Sequence, residues 1–256
     1  MSRERGLALV SVLWGVAILS LIAAAMLSAS LTTAQIGHND WNAARAGAVA
    51  DAGVNQAILS LMDERAARQP RADGTSSSLA FDGVPVRLWI QDESGRINLN
   101  YAPKELLQSL FASAGLSAGD AGALADRIVA RRGTDLARTL VTFRGVEDVL
   151  AVPGMTRALF DRVAPALTVY GPGATVNTQV APREALRALP NMDEDAISRL
   201  LEQRRTIAKA GGALAIAQSD FQITAEVTAG GAHVVRMAVV QFTGDPAKPY
   251  LILAWR

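Results

Sequence analysis

The feature that most constrains this chain is a long apolar segment close to its N-terminus. After Arg3, Glu4 and Arg5, no Asp, Glu, Lys or Arg appears until Asp40, and residues 7–31 are dominated by Leu, Val, Ile and Ala. About 20 apolar helical residues cross the hydrocarbon core of a bilayer, so the segment predicts a membrane-spanning helix. Because arginines precede the run while both signs of charge follow it, the positive-inside rule puts the short N-terminus in the cytoplasm and the bulk outside.

Three kinds of N-terminal segment have such a run: a cleaved signal peptide, a plain signal anchor and a prepilin. The apolar core of a signal peptide spans about 7 to 15 residues, and this run is longer. A plain signal anchor explains the hydropathy without further chemistry. In a prepilin, a short charged leader ends in Gly, here Gly6, and the apolar segment stays in the mature protein.

The sequence beyond the apolar run favours the prepilin. From Trp41 onward, apolar residues recur at spacings near three, four and seven with polar residues between them, which is typical of an amphipathic helix. No proline occurs before Pro70. We therefore expect one helix over residues 7–68, with its first half in lipid or a filament core and its second half on a soluble domain.

Alternating patterns at both ends of the remaining chain predict a sheet. Residues 84–91 and 221–227 alternate between apolar and polar side chains, residues 234–242 follow a Gly-Gly turn, and residues 250–255 resemble a last strand. Residues 70–78 contain Pro, Gly and Ser and predict a loop. Helical sequence separates the two β regions, so we expect one sheet with a helical insertion and the long helix on one face.

The insertion contains an internal repeat. Residues 96–106 read RINLNYAPKEL, and residues 175–186 read TVNTQVAPREAL. In each copy an Ala-Pro pair predicts a helix start, and more helix follows that ends in two arginines. Between the copies, residues 152–155 resemble the turn of a helix-hairpin-helix unit. The two basic pairs are Arg131 with Arg132 and Arg204 with Arg205.

A helix-hairpin-helix unit suggests DNA binding as an alternative function. Such units hold a phosphate with a Gly-apolar-Gly turn and nearby basic side chains. Here the turn at residues 153–156 lacks the second Gly, and the turn at residues 190–195 carries three carboxylates, which suit a helix N-terminus. We interpret the basic pairs as solvated helix ends. A net charge of +1 offers no general attraction to nucleic acid, so DNA is disfavoured as a partner.

Catalytic and metal-binding signatures are missing from the sequence. The chain has no Cys, and its two histidines, His38 and His233, lie far apart, which supports neither a catalytic triad nor a histidine metal cluster. We predict that the chain is not an enzyme and identify no cofactor. Oxygen ligands for calcium exist at residues 92–93 and 193–195, but carboxylates at turns and caps have the same pattern. The sequence leaves any calcium site unassigned.

Together these parts resemble one family, the K-class minor pseudopilins of type II secretion (general secretion pathway protein K, GspK). The matching parts are the leader at residues 3–6 followed by LALV, the segment DESGRINLN at residues 92–100, the repeat, and LILAWR at residues 251–256. The resemblance covers nearly the whole chain. It implies an α+β, pilin-like fold, with a long N-terminal helix packed on an antiparallel sheet and an inserted helical domain of helix-hairpin-helix or SAM-like type.

The resemblance also implies processing and partners. A prepilin peptidase would cut between Gly6 and Leu7, and the new Leu7 amine would be methylated. The mature chain would cross the inner membrane once, with its C-terminal domain in the periplasm. It would assemble with minor pseudopilins of the I and J classes, and with the major pseudopilin, at the tip of a periplasmic pseudopilus that supports protein export.

The fifth mature position is Ser11, where most pilins carry Glu, a departure that the K class shares. Without that Glu, the chain is expected at the tip of the pseudopilus.

The alternative functions are a minor type IV pilus component and a membrane-anchored helix-hairpin-helix DNA-binding protein. The expected division is a leader at 1–6, a helix at 7–68, sheet segments at 69–100 and 211–256, and a helical insertion at 101–210.

Overall fold

The computed structural model describes residues 3–63, 70–132, 143–171, 173–209 and 220–256, with the backbone alone described for residues 3–11, 29, 31, 32, 208 and 209. Helix α1, Arg3–Leu61, is about 90 Å long at about 1.5 Å per residue. The sequence predicted this helix to continue to residue 68, but it ends at Leu61, and residues 64–69 lie outside the described chain.

The two halves of α1 have different surroundings. In the second half, apolar residues spaced three or four apart form one buried stripe. The sequence predicted this for Val54, Ile58 and Leu61, but it was wrong for Ala44 and Ala48, which are exposed because the buried face before Val54 is formed by other residues. That stripe packs against the sheet and leaves the polar positions toward solvent. It comprises Ala46, Ala50, Val54, Ile58 and Leu61.

The sheet has five antiparallel strands in the order β1-β2-β5-β6-β7. One face, which includes Val86, Ile223 and Val240, packs on α1. The predicted loop at residues 70–78 is wrong in part, because β1 includes Ser76, which pairs with Trp89. The strands are β1 Asp73–Phe81, β2 Val84–Asp92, β5 Asp220–Ala229, β6 Ala232–Phe242 and β7 Tyr250–Trp255.

The helical insertion begins at the end of β2 and returns at the start of β5. Among its described residues, five α-helices surround a separate apolar core that contains Phe111, Ile128 and Phe143. Two short strands, β3 Ile97–Asn98 and β4 Leu167–Thr168, pair in parallel at its base. The helices are α2 Lys104–Ser113, α3 Ala118–Arg131, α4 Arg157–Val163, α5 Arg183–Arg187 and α6 Glu194–Lys209.

The insertion and the exposed half of α1 lie at opposite ends of the sheet. Where α1 reaches the sheet, Arg45 pairs with Asp82 in the β1–β2 turn at 2.8 Å, and the Asn42 amide donates to the Gly230 carbonyl in the β5–β6 turn at 2.9 Å. The insertion is attached at the other end, where Asp92 pairs with Phe221. The arrangement is the predicted α+β, pilin-like fold, with the insertion remote from the apolar half of the helix.

Candidate assembly surface and polar junction

The first half of α1 exposes a continuous apolar surface. Among the described residues, one helix is long and apolar enough to cross a bilayer, and its most apolar window has no buried residue. Trp14 is 67% exposed and Leu21 is 73% exposed. Apolar side chains of this size gain about 1.5 to 3 kcal/mol each when they are removed from water, so burial of this half of the helix in lipid or against protein would be favourable.

The processing residues proposed from the sequence lie in this half. Gly6, Leu7 and Ser11 are on the helical backbone of α1, and the side chains of Leu7 and Ser11 lie outside the described part of the chain. Cleavage after Gly6, methylation at Leu7 and the role of Ser11 therefore stay predictions.

The segment at residues 92–100 joins the sheet to the insertion. Asp92 accepts a hydrogen bond from the Ser94 amide at 2.8 Å and so caps a turn of 3-10 helix. Glu93 is buried beside Arg96, whose guanidinium donates to its carboxylate at 2.9 Å and to the Gln222 side chain at 2.9 Å. One arginine thus ties the turn to strand β5.

Further contacts of this segment reach the second copy of the repeat and the residues between the two copies. Gly95 lies against the second copy so closely that a Cβ atom there would lie 2.7 Å from the Val180 carbonyl carbon and oxygen. The Asn98 side chain donates to the carbonyls of Tyr170 and Gly171, and the Asn100 side chain donates to the Phe143 carbonyl. The residues that carry the family resemblance here form a structural joint.

Three carboxyl groups are buried at this junction. Burial raises the pKa of Asp92, Glu93 and Asp220 above their ordinary values. Hydrogen bonds from Ser94 oppose the rise for Asp92, and the Arg96 charge opposes it for Glu93. Asp220 is 4% exposed, and its Oδ1 atom has no hydrogen-bond partner, so part of this carboxyl group is desolvated without compensation.

The candidate calcium ligands have other partners. Asp193 accepts a hydrogen bond from the Ala196 amide at 2.7 Å and so caps α6, while Glu194 binds Arg183 and Arg187 at 2.7 and 2.6 Å. Within the described chain, His, Asp and Glu side chains form no group of three or more that could hold a metal. These acids act as caps and ion-pair partners in this structure.

The hairpin-like turn that suggested DNA binding is covered by a side chain. Gly154 has a φ of 95°, and Arg127 lies over it and donates to the Pro153 carbonyl at 3.0 Å. The next helix, α4, is capped by the Thr156 hydroxyl, which accepts from the Leu159 amide at 3.2 Å. Arg127 therefore stabilises the turn itself.

The interpretation of both basic pairs as solvated helix ends is wrong for one arginine in each. Arg132 and Arg204 donate to backbone carbonyls inside the insertion, whereas Arg205 is exposed and pairs with Glu202 at 3.0 Å. Sequence reasoning missed the two buried arginines, although the basic pair that follows each copy of the repeat was a signal. Neither presents its guanidinium freely to a phosphate.

No family model and no curated protein matched the chain. A search of solved structures found a likeness to a chain in the crystal structure of the GspK-GspI-GspJ complex from the enterotoxigenic Escherichia coli type 2 secretion system. The TM-score is 0.48 at 13% sequence identity, over 89% of this chain and 98% of that chain. So distant a likeness identifies no role for this chain.

Proposed function

We propose that the chain is a minor pseudopilin of the K class, which assembles at the tip of the periplasmic pseudopilus and supports protein export by type II secretion. The observation that carries this proposal is the division of α1. One uninterrupted helix has an exposed apolar first half and a second half buried in the core of a sheet domain. Such a helix can anchor the domain in the inner membrane and later pack against the helices of neighbouring subunits.

The place of the insertion supports a tip position. It is attached at the end of the sheet remote from the membrane segment. In a filament built from parallel helices, a bulky domain at that end would occupy the space of a subunit stacked ahead. It is readily placed where no subunit follows.

Processing and partners come from the sequence resemblance. The mature chain would begin at Leu7 with a methylated amine after a prepilin peptidase has removed the leader. Minor pseudopilins of the I and J classes would be its immediate partners, and the major pseudopilin would follow below them. The role is one of assembly, without catalysis.

Mass spectrometry of the chain recovered from bacterial membranes tests the proposal. We expect the mature N-terminus at Leu7 with one added methyl group. Gly6→Trp should leave an uncut chain and block export, whereas Gly15→Ala, inside the apolar segment, should be processed normally. A mature start within residues 33–38 would identify a signal peptide and contradict the proposal.

Measurements of DNA binding and of export distinguish the alternative functions. A DNA-binding protein would bind duplex DNA with an affinity that falls steeply with salt, and a pilus component would support pili rather than export. We expect export to fail without this chain and DNA binding to be negligible.

A further inference from the structure

The two edge strands of the five-stranded sheet have different chemistry. Strand β1 carries Thr75 and the exposed Ser76, Ser77 and Ser78, whereas β7 consists of the six uncharged residues YLILAW. Each edge has one register shift against its neighbour, so irregular pairing does not distinguish them. Protein sheets commonly protect an edge with charges or proline, and β7 contains neither.

The side chains of β7 are partly exposed on both faces of the sheet. Four of its apolar residues, Leu251, Ile252, Leu253 and Trp255, are 42% to 49% exposed. Ile252 is on the same face as α1, because it pairs with the core residue Val240, and Leu251 is on the other face, opposite Gln241. A partner that covers these side chains has to contact both faces of the sheet. An added strand does so, because its successive side chains point to opposite faces.

The backbone of β7 has hydrogen-bonding groups available at its outer edge. Arg256, just beyond the strand, exchanges both backbone hydrogen bonds with Met237 at 2.9 Å, and the Pro249 carbonyl accepts from the Thr243 amide at 3.1 Å. Because bonding direction alternates along an antiparallel strand, Tyr250 and Trp255 direct their backbone groups outward. In the described part of the chain, β6 is the one strand that pairs with β7.

We propose that the edge of β7 binds an extended strand of a different membrane-anchored protein. Backbone hydrogen bonds would supply the pairing, and apolar side chains of the added strand would cover those of β7 on both faces. The inference rests on the proposed function, which supplies partners that are anchored in the same membrane.

The membrane segment argues against a second copy of this chain as the occupant. Symmetric antiparallel pairing of two β7 strands requires a two-fold axis perpendicular to the sheet. That axis would reverse α1 of the second copy, so the two apolar halves would point in opposite directions and could not enter one bilayer. In a parallel orientation with the same faces aligned, the second copy would offer its serine-bearing β1 edge, which has little apolar surface to match β7. A two-fold axis along the strands would pair β7 with β7 in parallel, but it would place the two α1 helices on opposite faces of the joined sheet, where they could not pack side by side as in a filament core.

A charge on the β7 edge tests the proposal. The full chain would be co-expressed with the I-class and J-class pseudopilins of its secretion system and isolated in mild detergent. We expect Ile252→Lys to weaken their association at least about tenfold, a change of about 1.4 kcal/mol. The matched control, Ser77→Lys on the β1 edge, should bind like the unaltered chain, and circular dichroism should show that both variants are folded.

Hydrogen exchange and cross-linking complete the test. Amides 250–255 should become protected in the complex, and Leu251→Cys, which would be the single cysteine of the chain, should cross-link to a partner. Equal binding by Ile252→Lys, or a cross-linked homodimer, would overturn the edge proposal alone. Failure of the unaltered chain to associate with either pseudopilin would overturn the proposed function and this inference with it.

Discussion

Arg132 and Arg204 contact equivalent carbonyls in the two copies of the internal repeat. Arg132 donates to the carbonyls of Leu99 and Ala102 at 2.6 and 2.7 Å. Arg204 donates to the carbonyls of Thr178 and Ala181, the latter at 2.8 Å. The second acceptor in each copy, Ala102 or Ala181, is the alanine of the Ala-Pro pair. Arg132, at the end of α3, and Arg204, inside α6, thus each join a long helix to the residues just before the proline of its own repeat copy.

Removal of Arg204 should destabilise the protein. Arg204 is 6% exposed, and Arg204→Met would leave two inward-facing carbonyls without their charged donor, at a cost of about 2 to 4 kcal/mol in the free energy of unfolding. Arg205→Met is the matched control, because this exposed arginine makes a surface ion pair worth about 0 to 1 kcal/mol. Denaturant unfolding of the full chain in detergent measures both. Equal losses in the free energy of unfolding for the two variants would show that the hydrogen bonds of Arg204 to the two carbonyls do not stabilise the fold.

Gly95 should tolerate no side chain. A Cβ atom there would lie 2.7 Å from backbone atoms of Val180, so Gly95→Ala must move the joint between the two repeats, and we expect a loss of about 1 to 3 kcal/mol. At Gly119, in α3, an added Cβ atom would meet no other part of the fold within 4 Å. Gly119→Ala, in the first turn of α3, should instead stabilise the helix slightly, by at most about 0.5 to 1 kcal/mol. Thermal unfolding that shifts both variants in the same direction would contradict this explanation.

The buried carboxyl group of Asp220 should make stability depend on pH. Burial raises its pKa, although the Gln241 side chain and the Gly171 backbone amide oppose the rise. An acid with a raised folded pKa contributes stability that is present below its unfolded pKa and is lost as the pH rises through the folded pKa. Asp220→Asn removes this loss, so at neutral pH it should be about 1 to 2 kcal/mol more stable than the unaltered chain.

Unfolding measured across the acid range checks the sign of this effect. The advantage of Asp220→Asn should shrink as the pH falls and the native carboxyl group takes up its proton. Asp82→Asn is the control, because Asp82 lies in an exposed turn with an ion pair to Arg45. An advantage for Asp220→Asn that grows toward acid pH would show that the carboxylate is stabilised in the fold.

The sequence predicted the long helix and the sheet because periodic burial dominates both. The Ala46 to Leu61 stripe and the alternation in β2 and β5 follow directly from one buried face. The edge strand β1 escaped prediction because pairing with β2 holds its serines in place, and polar residues are compatible with an edge. The hydrogen bonds of Arg132 and Arg204 to carbonyls could not be predicted from the sequence. A basic pair in a helix has the same local sequence whether its side chains contact water or a distant carbonyl.

The uncharged side chain of Ser11 predicts where the chain would lie in a filament. In a pilin stack, Glu at the fifth mature position is expected to neutralise the terminal amine of the subunit ahead, because a charge left unpaired in the apolar core costs several kcal/mol. Ser11 carries no charge and cannot fill this role, which is tolerable at the very tip. The insertion, attached at the end remote from the membrane segment, adds a steric reason.

Labelling along assembled filaments tests the tip position. An epitope in the exposed β1–β2 turn should appear at one end of each filament, and an epitope on the major pseudopilin should appear along the sides. Ser11→Glu supplies the missing charge but leaves the insertion in place, so we expect the variant to stay at the tip. Regular labelling of the unaltered chain along the shaft would disprove the tip position. A shift from the tip to the shaft in Ser11→Glu alone would show that the charge at the fifth position, and not the insertion, determines where the subunit stops the filament.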